Sequence, residues 1–335
     1  MSQVLRDLKV SVILPTYRRF EPVLKTLEDL LVQQYPDFEI ILLDQNPAWP
    51  DELRDRFALF TKDLRVHWVR IDGPGVVKAC NLAVKEASGE LLLFIDDDVF
   101  IPHPYLLRLH ARNFSDPRIV AVVGREHRPG EITTRIPAPS AQLANANPER
   151  FETIRGELTP LQQALWFDRN SSEPKQVRTF CTCNSSVRKT DFVAVGGFDE
   201  LFTGNTYGYD ADLALRLSAR PGTIVYDPDA WLIHRRVPVG GLRLTDKHNR
   251  VDAAATAQGL WLFVLRHGYR GMYVHLIYHH VLRKTLLLRR NLFSTRQIGI
   301  IIGLLRGLVR AWHKRLLGPQ SLIHDSKVAS SDRCA

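Results

Sequence analysis

Glu90-Leu91-Leu92-Leu93-Phe94-Ile95 is an unbroken apolar run after its first residue, and it leads directly into Asp96-Asp97-Asp98. A short continuous apolar run that stops at polar residues reads as a strand buried on both faces, with the aspartates at its carboxyl end. Upstream, Lys9–Leu14 is a similar β-branched run stopped by Pro15, Glu39–Leu43 ends at Asp44, and Val66–Val69 is a third short strand. Between them Val23, Leu24, Leu27, Leu30 and Leu31 recur at helical spacing behind Pro22, and Gly73-Pro74-Gly75 opens a second helix through Asn81 and Ala87. Parallel strands need crossover helices, so the alternation predicts a doubly wound α/β sheet. Such sheets bind ligands beyond the carboxyl ends of their strands. The polar residues there are Thr16, Arg18 and Arg19, then Asp44, Gln45 and Asn46, then the three aspartates.

Further on, Ile119–Val123 reads as a strand and the Pro/Ala/Asn-rich stretch Pro137–Pro148 as a long loop suited to a lid. Val195–Glu200 precedes a helix that starts near Tyr209-Asp210-Ala211-Asp212, and a strand at Thr223–Tyr226 is followed by a Pro228-Asp229 turn and His234. Residues from Gly318 onward read as a loose tail.

The composition, 45% hydrophobic and 24% charged over 335 residues, excludes wholesale disorder, a collagen-like repeat and a disulfide scaffold. Cys80, Cys181, Cys183 and Cys334 include no C-x-x-C pair, so free thiols in a reducing compartment are expected. MSQVLRDLKVSVILP lacks the zones of a secretory signal, which makes the cytoplasm the expected location. Residues 253–317 hold 11 of the 45 Lys and Arg and no acid, so the net charge of +9 belongs to that segment and the remainder is near neutral. A cationic appendage on a neutral body points to an anionic partner.

Three adjacent carboxylates at a strand end repel one another unless something positive sits there. A divalent cation is the direct candidate, and it would bridge the oxygens of a bound diphosphate. The plainer reading makes one aspartate the cap of a helix starting near Pro102 or Pro104. Asp210 reads as a general base or as an acid at a helix N-terminus, Asp212 as support for that terminus. His234 could ligate a metal, although a lone histidine is more often structural. Cys181 and Cys183 could bind a soft metal, but without a second pair packing is the favoured reading.

In order, SVILPTYRR, EIILLDQNP, GPGVVKACNLAVKEASGE, LLLFIDDDVFIP, VGGFDE and GYDADLALRL resemble the successive motifs of the family 2 glycosyltransferases, inverting enzymes of the GT-A fold. The resemblance runs from Lys9 to His234. It implies a central, mostly parallel sheet flanked by helices and a nucleotide-diphospho-sugar donor of a hexosyl- or deoxyhexosyltransferase. The donor-binding set it implies is Pro15, Thr16, Tyr17, Arg18, Asp44, Lys78, Asn81, Asp96 and Asp97. It further implies Mg²⁺ or Mn²⁺ on the D-x-D pair Asp96 and Asp98 with His234, and Asp210 as catalytic base. VGGFDE, Gly196 to Glu200, would shape the acceptor side. The sequence departs from the family pattern at Gln45, where a second acid is usual, at Cys80, where an arginine is usual and Lys78 becomes the available cation, and at Tyr209, where a glutamate is usual.

The expected organisation is a catalytic domain over 1–235, with a nucleotide-binding half to about residue 100 and an acceptor half over 101–235. A basic helical extension over 236–317 and a flexible tail over 318–335 follow. The extension interleaves arginines with apolar clusters, which cuts every run short of a membrane span. It reads as amphipathic helices lying on an anionic membrane surface, or as a helical subdomain packed on the catalytic body or a dimer interface. No nucleic-acid reader motif is present, and nucleic acid is not an expected partner. The acceptor class implied is a glycan or a lipid-linked hydroxyl. Rival readings are an inactive family member serving as a binding or assembly protein, and a nucleotidyltransferase, which usually opens with a glycine-rich loop that Pro15-Thr16-Tyr17-Arg18 lacks.

Overall fold

A computed structural model describes residues 7–129, 152–153, 164, 167–203, 208–238, 240–241, 253–268, 274, 277–283, 287 and 296–317. The expected lid at Pro137–Pro148 and the tail after Gly318 lie outside them.

The first half follows the sequence pattern. Strands β1 (Val10–Thr16), β2 (Phe38–Asp44), β3 (Val66–Arg70) and β4 (Leu91–Ile95) pair in parallel in the order β3-β2-β1-β4. Helices α1 (Phe20–Leu31), α2 (Asp51–Thr61) and α3 (Val76–Glu86) make the crossovers. Because side chains alternate along a strand, Ile13, Ile41, Leu92 and Phe94 enter the core under α3, while Val12, Leu14, Leu42 and Leu93 pack under α1. Both faces are therefore covered, which is why these strands read as continuous apolar runs.

The second half is mixed rather than parallel. β5 (Val99–Phe100) is followed by α4 (Leu106–Ala111), β6 (Ile119–His127), β7 (Glu152–Thr153), β8 (Lys175–Val177), β9 (Asn184–Arg188), α5 (Lys189–Ala194), α6 (Tyr209–Ser218) and β10 (Thr223–His234). β9 lies antiparallel between β4 and β6, and β10 pairs in parallel with β6 and antiparallel with β8 and β5. Neither β6 nor β10 ends where the sequence suggests. β10 carries Pro228-Asp229 inside it as an irregularity between Asp227 and Trp231, then resumes pairing. Arg112 holds the acids of that bulge, at 2.8 Å from Asp227 and 2.7 Å from Asp229, so the two residues form a side-step in one strand and not a turn that ends it.

Helices α7 (Ala253–His267) and α8 (Arg296–Lys314) follow, with a π-helical segment at Ile277–Leu282. α7 is tied to the α/β body. Gln258 donates to the Leu201 carbonyl at 2.9 Å, His267 meets Asp212 at 2.7 Å, Arg266 pairs with buried Asp199, and Leu262 and Phe263 enter the α3-side core. α8 packs on α7 through Leu304 and Ala311, and Trp261 donates to the Leu304 carbonyl.

Candidate active site

The carboxyl ends of β1, β4, β6 and β10 converge on the three aspartates, and each aspartate has a different environment. Asp97 accepts from Thr16 at 2.8 Å and from Arg19 at 2.7 Å. Asp98 is fully buried, 2.9 Å from the same guanidinium, and accepts the Val237 N–H at 2.9 Å. Asp96 alone keeps part of its carboxylate open, with its side chain 29% exposed. Neither Asp97 nor Asp98 caps α4, which begins without a side-chain cap. The positive charge that the cluster demands is thus supplied partly by Arg19, which lies beside Arg18 in the sequence but points the other way. Arg18 is exposed, has a left-handed backbone at φ 54° and donates its N–H to Asn46.

His234 arrives at the end of β10 and completes the group. Its Nδ1 lies 2.9 Å from Glu126 Oε1, at the end of β6. Its Nε2 lies 3.2 Å from Asp98 and 3.6 Å from Asp96, with hydrogen-bond geometry to neither. Burial disfavours a charged imidazole, but Asp98, Glu126 and Asp96 outweigh it and raise His234 to about 9. Glu126 is held down at about 2: burial opposes its ionisation, while the His234 hydrogen bond, Arg169 at 3.1 Å and Arg236 outweigh that. A carboxylate on one ring nitrogen of a buried histidine orients the other nitrogen toward whatever the site holds.

Asp96, His234 and Cys183 present ligand atoms within 4.8 Å of one another. Cys183 sits on the short loop before β9; it packs into the α1-side core, as expected, and also stands beside Asp96 and His234. Nε2 of His234 is buried without a hydrogen bond of good geometry, and together with Asp96 and Cys183 it makes a donor set that fits a cation at this point, while Oδ1 of Asp98 is already 2.9 Å from Arg19. Asp210 lies half-buried in the first turn of α6, behind Gly208, whose φ of +97° requires glycine. Burial raises its pKa, with Arg169 opposing and Asp96 adding to the rise. Tyr209, in the position of the family's glutamate, meets Thr182 at 2.5 Å. A polar cavity of about 180 Å³ adjoins, lined by Glu126, Arg128, Asp168, Arg169 and Asn170.

Other expected residues stand elsewhere. Asp44 is buried and committed, accepting from Asn46 and from the indoles of Trp49 and Trp68 at 2.8 and 3.1 Å. Gln45 accepts the Gly75 N–H, so it fastens the loop before α3. Asn81 is buried and exchanges hydrogen bonds with the Phe198 backbone, with Glu200 as a further acceptor. Phe198 and Asp199 are fully buried, and VGGFDE supports α6: Phe198 packs on Tyr209, and the Val195 and Gly197 carbonyls accept from Arg216. Lys78 is exposed, and Pro15 and Tyr17 are half-buried at the end of β1. Glu126 and Arg169 escaped the sequence reading, while Cys183 entered it only as one of two thiols that could bind a soft metal. Arg19 was visible as a cation next to a strand end, whereas Glu126 needed β6 to run on past Val123.

A half-parallel sheet with acidic residues at the carboxyl end of its fourth strand, continued by an antiparallel strand and the helix that carries Asp210, defines a GT-A fold transferase. The family model described as "Glycosyl transferase family 2" matches residues 11–195, and the chain belongs to that family. It is 31% identical over 232 residues to the O-antigen biosynthesis protein RfbC of Myxococcus xanthus, covering 68% of this chain and 17% of RfbC. The chain spans a third or less of the length of the first curated relatives it matches. The crystal structure of TarS 1-349 from S. aureus in complex with UDP-GlcNAc aligns with a TM-score of 0.60 at 16% identity, covering 91% of this chain and 82% of that one. The mannosyltransferase PcManGT from Pyrobaculum calidifontis, in complex with GDP-Man and Mn²⁺, aligns with a TM-score of 0.52 at 16% identity over 93% and 88% of the two chains.

Proposed function

We propose that this chain transfers a hexosyl or deoxyhexosyl group from a nucleotide-diphospho-sugar to a hydroxyl of a glycan or lipid-linked acceptor, with inversion. The observation that carries the proposal is the Glu126–His234–Asp96 array at three strand ends, facing the helix that bears Asp210. Nucleotide sugars in the TarS and PcManGT complexes support the donor class, and Mn²⁺ in the second supports a divalent ion.

Asp96 and His234 would hold the ion, which when bound supplies electrostatic stabilisation of the leaving diphosphate. Asp98 then acts from behind, fixing Arg19 and the Val237 backbone. Glu126 keeps the His234 ring in one orientation. Asp210 accepts the proton of the acceptor hydroxyl as its oxygen attacks the anomeric carbon on the face opposite the diphosphate; its raised pKa makes it a stronger base than an exposed aspartate. Pro15 and Tyr17 flank the β1 end where base and ribose would lie. With Asp44 and Gln45 committed to the loop, recognition of the base falls to backbone groups there.

Thermal stabilisation by UDP, GDP, dTDP and CMP, with and without Mn²⁺, identifies the donor class. Asp96→Ala should lose the metal-dependent shift. Asp210→Asn should keep that shift and lose transfer by about 10²-fold or more. Nucleotide binding without any sugar transfer would favour the binding-protein reading instead, and pyrophosphate release from a nucleoside triphosphate would favour a nucleotidyltransferase.

The location follows from α8. Ile298, Ile301, Ile302, Leu305, Val309 and Trp312 form an exposed apolar stripe at helical spacing, on a helix whose other face packs on α7. Arg306 and Arg310 flank it, and Arg315 stacks on Trp312. Among the described residues no helix is long and apolar enough to cross a membrane. The occupant that fits a stripe of aliphatics and Trp edged by arginines is an anionic bilayer surface, on the cytoplasmic side. The protein should float with vesicles containing phosphatidylglycerol and not with neutral ones, and Leu305→Glu should abolish flotation while leaving donor binding intact. Binding to neither vesicle, or concentration-dependent dimerisation lost in Leu305→Glu, would show the stripe to be a protein interface.

A further inference from the structure

Cys183 adds sulfur to a site that the family reading treats as oxygen and nitrogen. Its Sγ, an oxygen of Asp96 and a ring nitrogen of His234 lie within 4.8 Å of one another, close enough for a single ion to touch all three. The geometry is fixed before any ion arrives. Thr182 on one side is bonded to Tyr209, and Asn184 on the other donates to the carbonyls of Arg125 and Ala230 at 3.0 and 2.8 Å. The loop therefore cannot swing the thiol away. Cys183 is 2% exposed, and the ring it faces has its Nδ1 occupied by Glu126, while its buried Nε2 has no hydrogen-bond partner. Glu126 on Nδ1 turns Nε2 toward the carboxylates of Asp98 and Asp96, at 3.2 and 3.6 Å, so the ring is aimed into the cluster that Cys183 joins.

We propose that Cys183 is the third protein ligand of the ion, so that this active site is a sulfur, nitrogen and oxygen centre selective for thiophilic divalent cations over Mg²⁺. Thiolate and imidazole favour Zn²⁺, Co²⁺ and Cd²⁺, whereas Mg²⁺ demands an oxygen shell. As the metal–sulfur bond forms, the thiol proton passes to solvent, because the thiolate is the ligand. Three protein ligands leave a position open, which the donor diphosphate would take. The inference rests on the assignment of Asp96 and His234 to the ion, and it changes which ions support or block transfer.

The whole chain, stripped with chelator, is titrated with Co²⁺ and followed by absorption. A sulfur-to-cobalt charge-transfer band in the near ultraviolet, saturating at one ion per chain, is the expected result. Cys181→Ser should keep the band and Cys183→Ser should lose it. Cys183→Ser should also weaken Cd²⁺ binding by at least about tenfold, the lower end of what loss of even an outer-shell partner costs, with Mg²⁺ binding unchanged. X-ray absorption of the zinc-loaded unmodified chain should show one sulfur at about 2.3 Å, which needs no variant to fold. Binding of Co²⁺ that Asp96→Asn abolishes, but with no charge-transfer band and no sulfur in the shell, would overturn the role of Cys183 and leave the Asp96 and His234 site standing. A band that survives in Cys183→Ser would overturn it as well. If no ion binds, both assignments fall.

Discussion

Arg19 is buried against two aspartates, and its removal leaves Asp97 without a cation and Asp98 with His234 alone. Breaking a buried pair by deleting one partner costs about 3 to 5 kcal/mol, because the remaining charge stays desolvated. Arg19→Met should therefore lower the unfolding midpoint sharply, and Mn²⁺ should recover less of the loss than Asp97→Asn added to the same variant. His110 carries a different expectation. It is buried between Ser186 and Asn184, and burial lowers its pKa to about 4. The unfolded chain takes up a proton near 6.5 and the folded one only near 4. Its contribution is present in full above that upper value and is lost as the pH falls between the two. The gap in Tm between the native chain and His110→Gln should narrow over this interval, as measured by calorimetry. Asp96, Asp210 and His234 were legible as residues because they stand at element ends. Glu126 was not, because its partner His234 lies 108 positions further on, and Cys183 was legible only as half of a thiol pair, because Asp96 and His234 stand 87 positions before it and 51 after it. No local pattern encodes that meeting.

Among the elements, the segment after β10 governs the aspartate loop. Arg235 N–H donates to the Asp98 carbonyl, and Gly241 N–H donates to the Tyr17 carbonyl at 2.7 Å. Gly240, at φ +84°, passes so close that a Cβ would stand 2.3 Å from the Arg18 carbonyl. Gly240→Ala should destabilise the fold by more than about 1 kcal/mol through strain alone. It should also weaken nucleotide-dependent stabilisation, since the β1–α1 loop must shift to admit the methyl group. The parallel strands were legible because two buried faces demand continuous apolar residues. β9 was not, because Asn184, Ser185 and Ser186 read as a polar loop. They are buried because Asn184 donates to the Ala230 carbonyl in the bulge of β10 and meets His110 Nε2, whose Nδ1 meets the Ser186 hydroxyl. Pro228 concealed the continuity of β10 for a similar reason: the strand tolerates it only through the side-step that Arg112 stabilises.

At the scale of the molecule, the charge asymmetry in the sequence separated residues 253–317 from the body, yet contacts join α7 to it. Charge reports the solvent-facing side of those helices, while Leu262, Phe263, His267 and Arg266 face inward. Arg266→Ala should lower the midpoint of a single transition by about 3 kcal/mol, and should not release a separate C-terminal phase. Far-ultraviolet dichroism and tryptophan fluorescence should superimpose in denaturant.

Tyr209 is the neighbour of Asp210, and Thr182 is the neighbour of Cys183, and their hydroxyls touch. Two peptide links and one short contact thus join the proposed base to the proposed sulfur ligand. On that proposal the distance between base and leaving-group charge is set by the protein's own bonds, like the gap of a vice. A substrate too long or too short for that gap would bind and remain unreacted.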